Sequence, residues 1–520
     1  MNREHFPDPD LSVSRFLDEV TEQISYEPLR PSIRQELESH IQERIEDYKA
    51  DGLTSGEAED KALRGMGDAV AIGTDLNEIH RIQAPPLFLT VITTVLLLAG
   101  FVAAGFMRWS PEQHSDGFLY YIGGGVLLVL TARKGYPVLV RHRKAVAISL
   151  CLLYVTASAA GPILTDRFGL LMGHGNIAYF ALLGLAPVIT VLLYRYRDSR
   201  KRLFISMLAC AGIHTLLMRS TSLFAGDTAA MIFILTLFST VCFMIHRRAV
   251  DGRKRTRYTV VPTGLALYAG ALAGLALFIS PLFLTAHGRS NMQAFLSPRT
   301  MIRSTWDDTY NGVLIRELLS RTPLTRGISL TPEEMMEYGT GAWYFASRDT
   351  REIGMDATGY SSNRQLFESY EDWEPGTASR YIHYNEGNVT LWNILPQHYH
   401  NNYVIAVCIL LFGWLAGLAL TGTVGLFYLF LFSCILRIRG HLASALAFCC
   451  GQCLLWQGIF YLLGNLGYQY ASFPNMPLIS EGRVSIMFNL VLLGMILSAY
   501  RFDRVIDEPA ESEWNMAHTG

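Results

Sequence analysis

One segment organises this chain: Leu395-Pro396-Gln397-His398-Tyr399-His400-Asn401-Asn402-Tyr403, which runs directly into the apolar residues Val404 to Ile438. The apolar part is long enough to cross a bilayer as a helix. Polar groups at the edge of the membrane hydrocarbon cost several kcal/mol unless they are paired or hydrated. The density of His, Asn, Gln and Tyr side chains at this edge therefore predicts a water-filled site at the mouth of a membrane helix.

The overall composition is that of a membrane protein. Half of the 520 residues are hydrophobic, the mean hydropathy is +0.24 and the formal net charge is −2. This balance of charge argues against nucleic acid as a partner. The eight cysteines all fall in apolar runs, so no disulfide framework is predicted. Cys449, Cys450 and Cys453 are interpreted as small packing residues of a membrane helix rather than as metal ligands.

Residues 1–85 are predicted to form a small helical domain in front of the membrane spans. The start is acidic and polar, without the basic and apolar regions of a cleavable signal. After Pro31, apolar residues recur about every four positions and predict a long helix: Ile33, Leu37, Ile41, Ile45 and Tyr48. Gly52 ends this helix, and Thr54 with Glu57 is typical of the cap of a second one. A third helix is predicted from Ala69 to Ile82.

Ten apolar runs between residues 87 and 500 predict ten transmembrane helices. They are Leu87–Met107, Phe118–Thr131, Ala145–Leu164, Ile177–Tyr194, Leu203–Ser222, Ala229–Ile245, Val261–Leu284, Tyr403–Ile435, His441–Asn465 and Val484–Tyr500. The second run is short for a bilayer of ~30 Å. The predicted fold class is an all-α polytopic membrane protein with a helical prefix and a large loop.

Lys and Arg residues cluster in every second connecting loop. The clusters are Arg133–Lys134 with Arg141–Lys144, Arg195–Arg202, Arg247–Arg257, Arg437–Arg439 and Arg501–Arg504. The positive-inside rule then predicts that both termini are cytoplasmic. The predicted domains are a cytoplasmic prefix (1–85), spans one to seven (86–285), a large extracytoplasmic loop (286–401), spans eight to ten (402–501) and a cytoplasmic tail (502–520). Within the loop, helices are predicted at Leu314–Leu319 and from Pro332 to Tyr338.

The order of motifs in the last third of the chain resembles the SEDS family, the FtsW/RodA/SpoVE-like cell-wall membrane proteins. The residues in matching places are Leu395-Pro396, His400, Tyr403 to Val407, Gln457, Pro477-Leu478-Ile479-Ser480 and Gly482, with Arg289 and Phe295-Leu296-Ser297-Pro298 at the start of the loop. The chain departs from the family pattern at Asn402, where the family has Asp, and at Glu481 and Arg483. The prefix is similar to the permease-prefix or HAAS-like domain through Glu36-Leu37-Glu38, His40-Ile41, Gly52-Leu53-Thr54, Glu57-Ala58, Ala62-Leu63 and Met66-Gly67-Asp68.

The SEDS resemblance implies a peptidoglycan glycosyltransferase that polymerises a lipid-linked disaccharide precursor in cell division, elongation or sporulation. It also implies the bacterial cytoplasmic membrane as the location and a class B penicillin-binding transpeptidase as the partner. The alternative is a catalytically inactive relative that binds the precursor or serves as a scaffold of the division or elongation complex. A transporter sharing its prefix with permeases is disfavoured, because the sequence shows no inverted repeat and no paired broken half-helices.

Glycan polymerisation requires a base near the acceptor hydroxyl. The resemblance implies that the family's Asp is this base, but the amide of Asn402 cannot accept a proton at neutral pH. The groups that could replace it are His400, Glu481, or a loop carboxylate among Asp372, Glu374 and Glu386. A simpler interpretation makes Glu481 a solvent-facing partner of Arg483 at a helix start. Asn402, His400 and Glu481 are thus the candidate catalytic residues, and enzymatic activity itself stays open.

Three further residues are candidates for substrate binding. Arg219, toward the end of the fifth span, is suited to hold pyrophosphate bidentately, or else pairs with Asp227. Gln457 and Ser480 occupy family positions. No metal site is predicted, because the histidines near the polar segment are interpreted as hydrogen-bonding surface groups: His383, His398 and His400. A divalent cation held jointly with substrate pyrophosphate is the one cofactor left open.

Overall fold

The computed structural model describes residues 13–80, 82–107, 117–161, 163, 174–197, 199–220, 227–251, 289, 292–293, 295–297, 308–340, 342–345, 390–396, 399–469, 475–480, 482–503 and 505. Over these ranges every regular element is a helix. The chain divides into two compact units. The prefix unit comprises Met1–Pro85, Ile438–Ala443 and Tyr500–Gly520, and the membrane unit comprises Pro86–Arg437 and Ser444–Ala499.

Four α-helices form the body of the prefix unit between residues 13 and 80. They are α1 (Val13–Glu22), α2 (Arg30–Ala50), α3 (Ser55–Met66) and α4 (Ala69–Ile79). Their aliphatic faces meet in one core, built from Phe16, Leu17, Val20, Ile41, Ile45, Ala58, Ala62, Leu63 and Ala69. The predicted cap at Thr54 is confirmed, since its side chain and that of Glu57 each bond the other's backbone N–H. The sequence prediction had no counterpart for α1, which lies in an acidic and polar stretch.

Later parts of the chain add a group of hydrogen bonds to the prefix unit; this polar corner consists of Gln83, Arg439, Gly440, Arg501 and Asp503. The Asp503 carboxylate accepts hydrogen bonds from the backbone N–H groups of Arg439 (2.8 Å) and Gly440 (2.6 Å). The backbone N–H of Gln83 donates to the carbonyl of Arg501 (3.1 Å), and its side chain lies 3.5 Å from the Asp503 carboxylate. Residues 438–443 and the end of the last helix therefore belong structurally to this unit.

The membrane unit contains the remaining helices. These are α5 (Leu87–Met107), α6 (Gly117–Arg141), α7 (Arg143–Val155), α8 (His174–Leu193), α9 (Arg200–Ser220), α10 (Asp227–Asp251), α11 (Asp308–Arg321), α12 (Pro332–Thr340), α13 (Ala342–Phe345), α14 (Leu391–Ile394), α15 (Tyr399–Asn402), α16 (Val404–Phe412) and α17 (Trp414–Arg437), together with most of α18 (His441–Asn465) and α19 (Arg483–Arg501). The helices predicted in the loop at residues 314–319 and 332–338 are confirmed by α11 and α12.

Seven helices of the described chain are long and apolar enough to cross a membrane. They are Leu87–Gly105, Arg143–Ala160, Gly175–Tyr196, Thr228–Arg247, Trp414–Arg437, His441–Asn465 and Arg483–Arg501. Two further predicted spans fall in α6 and α9, which are helical but are not among these seven. The predicted span Val261–Leu284 lies outside the described residues. The protein is an all-α polytopic membrane protein, as predicted; its domain limits and orientation stay predictions.

The predicted eighth span, Tyr403–Ile435, is wrong as a single helix. It breaks at Gly413, where φ is +92°, and divides into α16 and α17. Residues after α11 fill the break: Trp414 and Leu415 donate backbone hydrogen bonds to the carbonyls of Pro323 (3.2 Å) and Leu324 (2.9 Å). A broken helix is tolerated at membrane depth only where protein or water satisfies its backbone. The segment from 323 to 328 supplies that backbone pairing.

An ion pair holds α11 to α12. Arg321 donates to the carboxylate of Glu334 and, at 2.9 Å, to the hydroxyl of Tyr338. The hydrogen bond from Arg321 lowers the pKa of the Glu334 carboxyl, and the same contact raises the pKa of the guanidinium. The ring of Trp343 packs on Tyr338 (5.3 Å between centroids) and donates to the hydroxyl of Tyr310 (2.9 Å). Part of the predicted loop is therefore a packed helical cap.

Candidate functional site

The polar segment forms a tight turn at the start of the broken helix. Helix α15 ends at Asn402, Tyr403 leaves the helical conformation with φ −127°, and α16 begins at Val404. A helix start exposes backbone N–H groups, and the end of the short helix before it exposes carbonyls. Both sets must find partners in this apolar setting, and α18 and the 475–480 turn provide them.

Tyr461 of α18 binds both sides of the turn. Its hydroxyl donates to the backbone carbonyl of Asn401 at 3.0 Å and accepts the N–H of Val404 at 2.9 Å. The ring is fully buried. The Tyr461 hydroxyl thus satisfies two backbone groups that the turn between α15 and α16 leaves without helical partners: it donates to one and accepts from the other.

Asn465, one turn further along α18, uses its full hydrogen-bonding capacity. Its Oδ1 accepts the N–H groups of Ile405 (3.1 Å) and Ala406 (3.0 Å). Its Nδ2 donates to the carbonyls of Asn402 (2.8 Å) and Tyr461 (2.9 Å). The side chain is 0% exposed, so an amide with two donors and two acceptors is fully satisfied there.

The 475–480 turn closes the site from a third part of the chain. Ser480, 0% exposed, donates its hydroxyl to the carbonyl of Asn401. The turn needs a left-handed residue at Leu478, with φ +72°. Helices α5 and α6 hold it: a Cβ on Gly100 would lie 2.7 Å from the carbonyls of Leu478 and Ile479, and Tyr121 donates to the Ile479 carbonyl at 2.9 Å.

Gln457 lies deeper in α18 and does not bond the turn. Its Nε2 donates to Oδ1 of Asn489 at 3.0 Å and to the Cys453 carbonyl at 3.1 Å, and Asn489 in turn donates to Ser485. Its Oε1 is buried without a partner among the described residues. Gln457 therefore links α18 to α19 inside the membrane unit, and its assignment to substrate binding stays a prediction.

The other candidates divide by whether their side chains are described. Asn402 is half-buried at the turn, and His400 lies edge-on to the ring of Tyr399, 5.8 Å between centroids. Arg219 lies in α9, but the structure does not describe its side chain. The same holds for the side chains of the remaining candidates: Asp227, Glu481, His383, His398, Asp372, Glu374 and Glu386. Among described residues no group of three or more His, Cys, Asp or Glu could hold a metal ion.

Sequence reasoning missed Tyr461 and Asn465. The available signal was their spacing: two polar side chains four residues apart, on one face of the last turns of an apolar helix. They were read only as the end of the ninth span. The result is a site whose described core, Asn401, Asn402, Tyr461, Asn465 and Ser480, carries no charged side chain.

Comparison with known proteins yields a fold likeness alone. No protein-family model matches the chain, and no curated protein matches it. One solved structure similar to it belongs to a peptidoglycan synthase complex described as coordinating polymerization and crosslinking, with 16% sequence identity and a TM-score of 0.46. That match covers 82% of this chain and 99% of the other. Membership of the SEDS family is therefore a proposal.

Proposed function

We propose that the protein is a SEDS-type glycosyltransferase that polymerises a lipid-linked peptidoglycan precursor. The observation that supports the proposal is the meeting of motif segments that are far apart in the chain. The 395–403 segment and Ser480 lie in the two stretches that resemble SEDS motifs, and Ser480 bonds the Asn401 carbonyl directly. The turn that carries His400 and Asn402 is thereby held in one position at the mouth of α16.

The reaction needs a base that the described core of the site lacks. A base removes the proton from the acceptor sugar hydroxyl, the freed oxygen bonds the anomeric carbon of the donor, and the bond to the lipid diphosphate breaks. The amide of Asn402 cannot take that proton. Glu481 directly follows Ser480 in the chain and His400 belongs to the turn, so these two are the proposed bases. A divalent cation would be held jointly with the substrate pyrophosphate.

The test is glycan-chain formation by the purified protein from lipid-linked disaccharide-pentapeptide, with and without a class B transpeptidase. Wild type is expected to polymerise, and either Glu481→Gln or His400→Ala is expected to lower the rate by about 100-fold or more. Arg326→Gln, which changes an exposed charge, serves as the matched control. Wild type that polymerises with both variants unaffected would remove both residues from the base role.

A second candidate, a non-catalytic protein that binds the precursor or scaffolds a complex, is favoured because the described core of the site holds no charged side chain. Under this function wild type binds the precursor but forms no glycan with any partner, and Asn402→Asp gains activity. Wild-type polymerisation would exclude it.

The proposed setting is the bacterial cytoplasmic membrane, with both termini in the cytoplasm and a single-anchor transpeptidase as partner. The basic clusters in alternate loops support this orientation. A cysteine introduced at Ser55 in the prefix should add labelling by a membrane-impermeant maleimide, relative to the unsubstituted chain with its eight cysteines, only after permeabilisation of whole cells. Labelling of intact cells would reverse the orientation.

A further inference from the structure

Helix α11 packs at backbone contact distance against the chain just after α18, at Gly467. A Cβ on Gly312 would lie 2.9 Å from the Gly467 carbonyl oxygen, and one on Gly467 would lie 2.4 Å from the Gly312 carbonyl and 2.3 Å from Cγ of Arg316. Gly467 also has φ +80°, which L side chains rarely adopt. The pair of glycines therefore permits a close approach that seats Arg316 on the chain just after α18.

Arg316 is held there by an aromatic ring. Its guanidinium lies 5.1 Å from the ring centroid of Tyr468, a cation–π contact. Tyr468 is 47% exposed, so the surface where Arg316 meets this ring is open. A guanidinium stacked on a ring keeps its N–H edge free for a bidentate anion.

The segment that carries Gly467 and Tyr468 also borders the candidate site. Gln469 follows Tyr468, and its Oε1 accepts the hydroxyl of Tyr403 at 3.1 Å. Tyr403 is the residue after Asn402, whose carbonyl Asn465 holds. Arg316 thus lies beside the segment that flanks the turn.

The charge of Arg316 has no acidic partner among the described residues. Arg321, five positions along the same helix, shows the contrast, because it is bonded to Glu334 and Tyr338. A guanidinium on an aromatic ring, near a site whose described core is neutral, is suited to an anion with paired oxygens.

We propose that Arg316 binds the diphosphate of a polyprenyl-linked substrate, with Tyr468 as the positioning residue. The inference rests on the proposed function and names the group that recognises the leaving lipid diphosphate. An anionic phospholipid headgroup offers the same phosphate chemistry, so the experiment must separate the two sources. The sequence made Arg219 a candidate either for pyrophosphate or for an ion pair with Asp227; this proposal adds Arg316 as a second candidate cation.

The test measures binding of lipid-linked disaccharide-pentapeptide, undecaprenyl diphosphate and phosphatidylglycerol to the full chain in nanodiscs of neutral lipid. Arg316→Gln is expected to weaken binding of both diphosphate lipids about tenfold or more, since charge-assisted bidentate bonds are lost. Arg316→Lys should recover part of the loss, and Arg326→Gln should bind as wild type does. Tyr468→Phe should keep the affinity and Tyr468→Ala should reduce it. Equal melting temperatures exclude unfolding as the cause.

Two results would overturn the proposal. Unchanged affinity of Arg316→Gln for both diphosphate lipids would remove the residue from recognition. An equal loss for phosphatidylglycerol would assign it to bulk lipid headgroups. Wild type that neither binds the precursor nor forms glycan would overturn the proposed function itself. Where wild type does form glycan, either of the two results above overturns this inference alone.

Discussion

Asn465 in the membrane unit and Asp503 in the prefix unit perform the same task with different chemistry. Each accepts hydrogen bonds from two consecutive backbone N–H groups: Ile405 and Ala406 at 3.1 and 3.0 Å for Asn465, Arg439 and Gly440 at 2.8 and 2.6 Å for Asp503. The carboxylate makes the shorter bonds, as charge-assisted hydrogen bonds do.

The difference follows from the surroundings. Asn465 is 0% exposed among apolar helices, where an unpaired charge is costly, whereas Asp503 is 9% exposed at the end of the last helix beside the polar side chain of Gln83. The amide also donates twice, which a carboxylate cannot do. Neutral groups therefore hold the candidate site, and a charged group holds the corner of the prefix unit.

The largest effect is expected from Asn465→Leu. It leaves two buried N–H groups and the Asn402 carbonyl without this partner, and we expect a loss of about 3 kcal/mol in the free energy of unfolding. The measurement is equilibrium unfolding in detergent, followed by helix content.

Asn465→Asp is the matched control for charge. At pH 7.5 the ionised carboxylate faces the carbonyls of Asn402 and Tyr461, so this variant should be about as unstable as Asn465→Leu. When this carboxyl is protonated at lower pH it can donate a hydrogen bond again, so stability should return as pH falls. A variant as stable as wild type at pH 7.5 would contradict the assigned role of neutrality.

A smaller effect is expected from Asp503→Asn. The amide keeps one carbonyl oxygen for two donors and loses the charge, which should cost about 1–2 kcal/mol locally. Hydrogen exchange of the Arg439 and Gly440 amides in the full chain measures it directly. Gln83→Ala, which removes only the 3.5 Å contact, should change these rates less; equal rates in wild type and Asp503→Asn would show that the carboxylate does not hold this loop.

The smallest effect is expected from Glu57→Gln, which changes an exposed capping carboxylate of the prefix unit. The hydrogen bonds from Thr54 lower the pKa of the Glu57 carboxyl below its usual value of 4.5. Because the pKa of Glu57 is lower in the folded state, the ionised carboxylate stabilises α3 when the pH is above the pKa of the unfolded state. This stabilisation is lost as the pH falls through the pKa of the folded state. Exchange protection of the α3 amides should fall more steeply below pH 4.5 in wild type than in Glu57→Gln. Identical pH profiles would exclude an ionised cap.

Much of the architecture is readable locally. The stripe from Ile33 to Tyr48 and the Thr54 cap predict α2 and α3, because helix periodicity and capping involve residues within a few positions of one another. The break at Gly413 was not predicted, since the apolar run continues unchanged through it. Its backbone partners come from residues 323–324, about ninety positions earlier in the chain.

The candidate site shows the same division. The sequence by itself determined that a polar turn at Asn401–Asn402 opens a membrane helix, because a dense cluster of polar side chains beside an apolar run is a local pattern. Only the tertiary structure decided that Tyr461, Asn465 and Ser480 hold that turn and that Arg316 lies near it. These contacts join segments 60 to 152 positions apart, and no residue spacing encodes which distant donor satisfies a given buried carbonyl.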